Sequence, residues 1–340
     1  MTLLPKDDLD QVCSYYEAFC GNLQSASVLI SGVSGFVGSW LLESLASLDR
    51  AFDLNMTLTG ISRDLNKPQA MFHEYAGPNL RFFERDINRN FEVDGDFSHI
   101  FHAATPTTFG SRAGNLSNVY DSSVLGASNL IELAKKQPNP PVFVHTSSGA
   151  VYGRQPSSLD RFPLSFPRQV VTPSDNVTNE YARAKIDTEL RVEAATSVEV
   201  IKGINARLFA FMGPRIPLKE HYAIGNFVFS GVYENSIRIA GDGQSVRSYQ
   251  YASDMASQLI YLLSTGTPGN YHVGSTDGRK ILDWANLVGL ECGKPVEILG
   301  TDTSTATQYV PEADLRIPSG LGESISKSDH LARWIAWLRS

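Results

Sequence analysis

The stretch SGVSGFVG, at residues 31–38, constrains the fold more than any other feature of the sequence. Its three glycines directly follow a short apolar run and precede a segment with helical periodicity. A tight turn, close approach of the backbone to a pyrophosphate, and close packing of a helix on a strand each require a residue without Cβ. The N–H groups and dipole of the following helix also favour an anion. The stretch predicts a dinucleotide-binding loop rather than a purely structural turn, comprising Gly32, Ser34, Gly35, Phe36, Val37 and Gly38.

Short apolar runs alternate with helical segments along the first two thirds of the chain. Apolar strands separated by helices indicate a parallel sheet covered on both faces, which is an α/β fold of the doubly wound Rossmann type. Such sheets bind ligands at the carboxyl ends of their strands. Strands are predicted at residues 27–32, 56–63, 80–87, 99–104 and 141–148, and helices at residues 36–48 and 116–136.

The same pattern divides the chain. Residues 27–209 are predicted to form the dinucleotide-binding domain. Residues 210–340 contain more turns and shorter elements, which indicates a smaller C-terminal α/β substrate lobe with segments that return to the sheet. Residues 1–26 are predicted to be an N-terminal helical extension, in which an amphipathic helix over residues 7–20 packs on the main domain.

The composition limits the kinds of partner and cellular compartment that we expect. The net charge is −7 and no basic stripe is present, so we expect no nucleic-acid partner. Cys13, Cys20 and Cys292 lack the spacing of a metal site or a disulfide framework, so we expect no metal and a reducing compartment. The first residues carry acidic side chains and no apolar run long enough to cross a bilayer. We therefore expect a cytoplasmic protein without a membrane partner.

The end of the second predicted strand, LTGISRD, bears on the choice of cofactor. An acidic residue there suits the ribose hydroxyls of NAD, whereas an arginine suits the 2′-phosphate of NADP. Ser62 and Arg63 occupy the expected position, and a guanidinium offers the donor fork that a phosphate ester accepts. A shift of one residue would place Asp64 there instead, and a surface Arg–Asp pair is the alternative. We predict NADP(H), with NAD(H) left open.

Several motifs occur together with the glycine loop. They are HAA (102–104), SSGAVYG (147–153), YARAK (181–185) and GDGQSVRSYQYASD (241–254). With them the chain resembles the extended short-chain dehydrogenase/reductase family, in particular its nucleotide-sugar epimerase, dehydratase and reductase branch. The resemblance extends from about residue 27 to near the C-terminus, and it implies an enzyme that acts on a nucleotide sugar and forms a homodimer.

The resemblance assigns a catalytic centre to Ser148, Tyr181 and Lys185. Tyrosine and lysine four residues apart are common on any helix surface. The pair indicates a catalytic role only because the other motifs of the family are also present. An ammonium group near a phenol favours the phenolate and lowers its pKa. Tyr181 is therefore expected to transfer the proton and Lys185 to hold the nicotinamide ribose, while Ser148 hydrogen-bonds the reacting sugar oxygen.

The resemblance also assigns binding residues. Asp86 and Ile87 are expected beside the adenine, and Ala103 and Ala104 where the backbone passes close to the cofactor. His102 and His145 are interpreted as packed strand residues. The substrate is expected to contact Thr105, Ser148, Asn226 and Arg247, the last two gripping the diphosphate.

Two departures from the family pattern narrow the reaction. Gly149 and Ala150 stand where dehydratases have an Asp–Glu pair, and neither can transfer a proton, so 4,6-dehydration is not expected. Ala210 stands where many relatives have an asparagine that contacts the sugar phosphate. We expect a reductase acting on a nucleotide-linked 4-keto-6-deoxy sugar. An NAD-dependent epimerase is the alternative, and a catalytically inactive cofactor-binding protein is a third reading.

Overall fold

The fold is taken from a computed structural model of the chain. It describes residues 3–19, 23–89, 91–105, 116–172, 177–220, 222–301, 306–321 and 325–340.

Ten α-helices and fourteen strands are identified in the described part of the chain. The helices are α1 Lys6–Ser14, α2 Tyr16–Phe19, α3 Phe36–Phe52, α4 Asn66–Met71, α5 Leu116–Lys135, α6 Val177–Ser197, α7 Ala223–Tyr233, α8 Ala252–Thr265, α9 Ile281–Cys292 and α10 Lys327–Arg339. The strands are β1 Ser27–Ser31, β2 Thr57–Ser62, β3 Leu80–Glu84, β4 His99–His102, β5 Val142–Ser148, β6 Lys202–Leu208, β7 Ala210–Met212, β8 Ile237–Ile239, β9 Val246–Arg247, β10 Tyr249–Tyr251, β11 Gly269–Val273, β12 Arg279–Lys280, β13 Val296–Ile298 and β14 Gln308–Tyr309.

Seven strands form the central sheet in the order β11-β6-β5-β4-β1-β2-β3, and all neighbours are parallel. The inner strands are buried along almost their whole length, as expected for a sheet with helices on both faces. The order reverses at β1, so the loops after β1 and β4 diverge and leave a crevice at the carboxyl edge. The predicted Rossmann-type α/β fold is confirmed.

The C-terminal part contributes to the same sheet. β11 pairs with β6 at the sheet edge, and α8 packs its apolar face into the core that contains β1 and α3. A second apolar core lies among α7, α9 and α10, where Trp284 and Trp334 are fully buried. Three small sheets, β10-β7, β12-β9-β14 and β13-β8, complete this region. The proposed division at residue 209 stays a prediction.

The N-terminal helix predicted over residues 7–20 is two helices, with a break at Tyr15. Ser14 donates its hydroxyl proton to the carbonyl oxygen of Gln11 and competes with the helical pattern at this point. α1 is tied to distant elements by buried polar groups. Asp8 accepts hydrogen bonds from Tyr251 (2.9 Å) and Arg333 (3.0 Å), which joins α1 to β10 and α10.

Predicted strands are shortened at their polar ends. The segment predicted over residues 80–87 leaves the sheet after Glu84, because the Asp86 carboxylate accepts the Asn88 N–H at 3.1 Å and forms a turn. Among the helices that the structure describes, none combines the length and the apolar character needed to cross a membrane.

Candidate active site

The glycine loop leaves no room for side chains at two of its positions. Gly32 has φ +73°, and a Cβ there would lie 2.7 Å from backbone atoms of Ala104. A Cβ on Gly38 would lie 2.3 Å from the carbonyl oxygen of Gly32, so α3 packs directly on the turn. Gly35 precedes α3, whose first turn carries no acidic side chain. The loop therefore presents the positive end of a helix dipole at the carboxyl edge of the sheet.

A cleft of about 260 Å³ opens beside this loop. The structure places most of the predicted cofactor residues on its walls. These are Gly32, Ser34, Gly35, Ser62, Arg63, Asp86, Ile87, Ala103 and Ala104, together with the predicted substrate residue Thr105. Phe36, Val37 and Gly38 instead form the first turn of α3, behind the loop.

Two cationic side chains on the wall of the cleft were not predicted from the sequence. Lys67 and Arg85 line it together with Arg63. Asp64 also lies there, but its carboxylate accepts the Asn66 N–H at 2.9 Å, and its backbone is bound by the Ser62 hydroxyl. Asp64 thus caps the loop before α4. Lys67 lies within that short helix and Arg85 directly after β3, and neither position belongs to a sequence motif.

Lys185 lies between the cleft and the sheet. Its Nζ donates hydrogen bonds to Thr105 Oγ1 (2.9 Å) and to the carbonyl oxygen of Thr146 (2.5 Å). The side chain is almost completely buried, and this desolvation lowers the pKa of Lys185 to about 7, although the charge of Glu189 acts in the opposite direction. The buried ammonium therefore titrates near neutral pH.

Tyr181 is one helical turn before Lys185 on α6, and the Lys185 Nζ is 5.6 Å from the centroid of its ring. Desolvation raises the pKa of Tyr181 and outweighs the hydrogen bond with Ser148, which lowers it, so the pKa of this phenol lies above its usual value and not below it as expected from the sequence. Ser148 is the last residue of β5, and its Oγ accepts the Ala150 N–H at 3.1 Å. The structure thus brings Ser148, Tyr181 and Lys185 together next to the cleft.

Tyr309 is a further residue of this centre that the sequence did not indicate. Its phenol oxygen is 3.4 Å from Ser148 Oγ, and burial raises the pKa of Tyr309 to about 12. It also occupies the space beside Gly149, where a Cβ would lie 2.6 Å from the phenol oxygen and 2.7 Å from the Phe209 ring. The position expected to carry an acid in dehydratases is therefore filled by aromatic side chains of other elements.

A buried ionic network supports the centre from behind. The Glu189 carboxylate, one turn after Lys185, accepts hydrogen bonds from Ser147 (2.6 Å), Arg207 (2.8 Å) and Arg168 (2.6 Å). Desolvation acts to raise the pKa of Glu189, but the hydrogen bonds and charges of Arg207, Ser147 and Arg168 outweigh it and leave the pKa below its usual value. The network joins α6 to β5 and β6.

The network continues through two aromatic residues. Arg207 donates to the Tyr152 phenol oxygen at 2.7 Å, and the same oxygen is 2.7 Å from His272 Nε2. His272 Nδ1 is 3.2 Å from the carbonyl oxygen of Glu312, which can only accept, so the ring proton is on Nδ1 and the phenol donates to Nε2. Burial lowers the pKa of His272 to about 4, so it is neutral at physiological pH.

His102 and His145 lie in the interior of the sheet. Their rings stack at 5.6 Å, and Ser31 Oγ is 2.9 Å from His102 Nδ1. Burial, followed by the charge of Lys185, lowers the pKa of His102 to about 3 and the pKa of His145 well below its usual value. Both are neutral packed residues in this arrangement.

The two predicted diphosphate residues are placed separately. The Arg247 guanidinium on β9 donates to the carbonyl oxygen (3.0 Å) and hydroxyl (2.9 Å) of Thr307. Asn226 on α7 donates to the carbonyl oxygen of Glu220, and its buried Oδ1 has no partner among the described residues. Arg247 is opposite Tyr309 in the β9–β14 register, so one small sheet connects it to the residue beside Ser148.

Comparison with known proteins identifies the family of the chain. The profile of the NAD dependent epimerase/dehydratase family matches residues 28–274. The chain belongs to this family. The resemblance inferred from the motifs is thereby confirmed.

Individual relatives are distant. UDP-glucuronic acid decarboxylase 2 of Arabidopsis thaliana is 27% identical over 267 residues, which are 77% of this chain and 56% of that protein. The chain thus spans little more than half the length of the first curated relatives that it matches.

Solved structures share the fold over nearly the whole chain. A UDP-N-acetylglucosamine 4-epimerase from Methanobrevibacter ruminantium, in complex with UDP-N-acetylmuramic acid, has a TM-score of 0.77 at 18% identity, covering 93% of this chain and 99% of that one. A UDP-glucose 4-epimerase from Thermus thermophilus, in complex with NAD, has a TM-score of 0.74 at 19% identity, covering 92% and 99%.

Proposed function

We propose that this protein is an NAD(P)-dependent oxidoreductase of nucleotide sugars, with Tyr181 as the proton donor. The observation that carries the proposal is the assembly of Ser148, Tyr181 and Lys185 at the edge of the cleft. Ser148 is hydrogen-bonded to Tyr181, and Lys185 reaches Thr105 on the cleft wall. A serine, a phenol and a buried ammonium in this arrangement can hold a sugar oxygen and transfer a proton to it.

The residues of the cleft fit a nicotinamide dinucleotide. Gly32 and Gly38 keep the loop free of side chains, and the N-terminus of α3 suits a diphosphate. When bound, the reduced dinucleotide supplies a hydride. The protein supplies the proton from Tyr181 and a hydrogen bond from Ser148 to the developing alkoxide. The charge of Lys185 stabilises the phenolate that remains.

The preferred cofactor in this proposal is NADP(H). Arg63, Lys67 and Arg85 place three cationic side chains on the cleft wall, and Asp64 is engaged in capping its own loop. A phosphate monoester is the group that such a cluster binds best. NAD(H) is the alternative, and it is the dinucleotide bound to the Thermus relative.

Reduction of a 4-keto-6-deoxy sugar is the reaction that we favour. Gly149 and Ala150 offer no acid for 4,6-dehydration, and Tyr309 and Phe209 fill the space in which a carboxylate would stand. An NAD-dependent epimerase would use the same Ser148, Tyr181 and Lys185, with the dinucleotide retained through the cycle.

The dinucleotide that co-purifies distinguishes the two reactions. The protein is denatured without added cofactor and the released nucleotide is identified, and the native protein is assayed with UDP-4-keto-6-deoxyglucose, UDP-glucose and UDP-glucuronic acid. Exchangeable NADPH and reduction of the keto sugar support the reductase. Retained NAD and interconversion of UDP-glucose with its C4 epimer would replace it with the epimerase. Binding of NADPH with no turnover of any sugar would contradict both.

A further inference from the structure

Three hydroxyl groups meet at the end of β5. Ser148 Oγ lies between two phenols, since it is hydrogen-bonded to Tyr181 and 3.4 Å from the oxygen of Tyr309. The Tyr309 oxygen is also 3.5 Å from the carbonyl oxygen of Leu208. Tyr309 lies 161 positions after Ser148 in the chain, and none of the motifs that define the centre includes it.

The hydrogen-bonding capacity of Ser148 is limited. A serine hydroxyl has one proton to donate and two lone pairs that accept. The Ala150 N–H occupies one lone pair at 3.1 Å. If Tyr309 donates to the other, the single Ser148 proton is left to donate to the Tyr181 phenol oxygen or, with substrate bound, to an oxygen of the substrate. Without Tyr309, the free lone pair can accept the Tyr181 proton, which diverts it from the substrate.

The position of Tyr309 suits this task. Its ring packs on Phe209, with centroids 4.8 Å apart, and its strand is held against β9. Gly149 leaves the space that the phenol oxygen occupies, because any Cβ there would lie 2.6 Å from that oxygen. Packing alone would be satisfied by phenylalanine, whereas the tyrosine adds a hydroxyl within 3.4 Å of Ser148 Oγ.

We propose that Tyr309 is a positioning residue that holds the Ser148 hydroxyl as a hydrogen-bond donor, to the Tyr181 phenol oxygen in the free protein and to the reacting oxygen when substrate is bound. The effect on catalysis rests on the proposed function. The hydrogen bond between Tyr309 and Ser148 does not, because it belongs to the protein without substrate.

The first test is a double-mutant cycle on stability, which needs no substrate. The free energy of unfolding is measured by chemical denaturation for the unmodified protein, Tyr309→Phe, Ser148→Ala and the double variant. We expect a favourable coupling, so that Tyr309→Phe lowers the free energy of unfolding less in the Ser148→Ala background than in the unmodified protein. Additive losses, with no coupling, would overturn the proposal. They would indicate that the Tyr309 hydroxyl donates to the carbonyl oxygen of Leu208 instead. Tyr233→Phe, which removes an exposed hydroxyl on α7, is the control and should not couple to Ser148→Ala.

The second test applies the same cycle to turnover of UDP-4-keto-6-deoxyglucose with NADPH. Tyr309→Phe should lower kcat about 10-fold and change KM by less than about 3-fold, since it weakens a donor that acts in the transition state. In the Ser148→Ala background, Tyr309→Phe should cause no further loss. Equal losses in both backgrounds would overturn the positioning role. If the unmodified protein reduces no keto sugar, the proposed function fails, and the stability cycle alone decides the Tyr309–Ser148 bond.

Discussion

At the scale of single residues, Lys185 shows how burial changes the pKa of a side chain. Its spacing from Tyr181 was visible in the sequence, but its almost complete burial was not. Burial lowers the pKa of Lys185 to about 7, so between pH 7 and the usual lysine value the unfolded chain binds a proton that the folded protein does not. The stability of the protein should therefore rise with pH through this window.

Replacing Lys185 measures how much the burial of its charge lowers the free energy of unfolding. Lys185→Met removes the desolvated cation, so below pH 7 it should stabilise the cofactor-free protein, by about 2 kcal/mol after the loss of two hydrogen bonds. That advantage should shrink as the pH rises from 7 and vanish above 10.5, where the lysine is neutral in both states. Chemical denaturation at several pH values measures the difference. A difference that does not change with pH would contradict the lowered pKa.

Arg63 is the residue on which the proposed preference for NADP(H) depends. Arg63→Ala should weaken NADPH binding about 10–100-fold, because a charge-assisted contact with a phosphate is lost, and should change NADH binding by less than about 2-fold. Fluorescence titration of each dinucleotide gives the two dissociation constants. Arg81→Ala, an exposed arginine on β3 outside the cleft, serves as the control. Equal effects of Arg63→Ala on both dinucleotides would contradict the preference.

At the scale of elements, α6 combines the centre with its support. Tyr181, Lys185 and Glu189 follow one another at intervals of one turn and lie on the same side of the helix. Glu189 is fully buried and holds Arg207 of β6 and Arg168 of the preceding loop. The helix is thereby fixed against the sheet where the side chains of the proposed catalytic centre lie.

Removal of the Glu189 charge should destabilise the protein. Glu189→Gln leaves the Arg207 guanidinium buried without a counter-charge, which should cost about 3–5 kcal/mol in chemical denaturation. The pKa of Glu189 is lower when folded, so its contribution is present above about pH 4.5 and is lost as the pH falls further. Glu193→Gln, on the same helix but partly exposed, is the matched control with a loss below about 1 kcal/mol. Equal losses would contradict the assigned role of Glu189.

The limits of prediction from sequence also follow from these elements. The glycine loop, the alternation of strands and helices around it and the spacing of Tyr181 from Lys185 are local patterns, which a sequence displays directly. Tyr309 lies in a two-residue strand whose place is set by its pairing with β9, and no local pattern records such a pairing. The Arg207–Glu189 ion pair and the cations Lys67 and Arg85 are likewise defined by tertiary contacts.

At the scale of the whole molecule, we propose that the protein is a homodimer formed through α5 and α6. These two helices pack together, and each presents a large exposed apolar side chain, Leu125 and Leu190. Burying them against a second copy removes this apolar surface from water.

Light scattering tests the dimer. We expect the mass of two chains for the unmodified protein and a shift toward one chain for Leu190→Glu, because a carboxylate would have to be buried in the interface. Leu290→Glu, at an exposed position on α9, is the control and should leave the mass unchanged. A single-chain mass for the unmodified protein would contradict the dimer.

Transfer of deuterium from the cofactor to the sugar is the decisive test of the proposed reductase function. The protein is incubated with UDP-4-keto-6-deoxyglucose and NADPH that carries deuterium on the transferable position of the nicotinamide, and the product is analysed by mass spectrometry. The proposed function predicts one deuterium on the sugar carbon that was the ketone, and loss of nearly all product in Tyr181→Phe with NADPH binding retained. A product without deuterium, or an unchanged kcat in Tyr181→Phe, would contradict it.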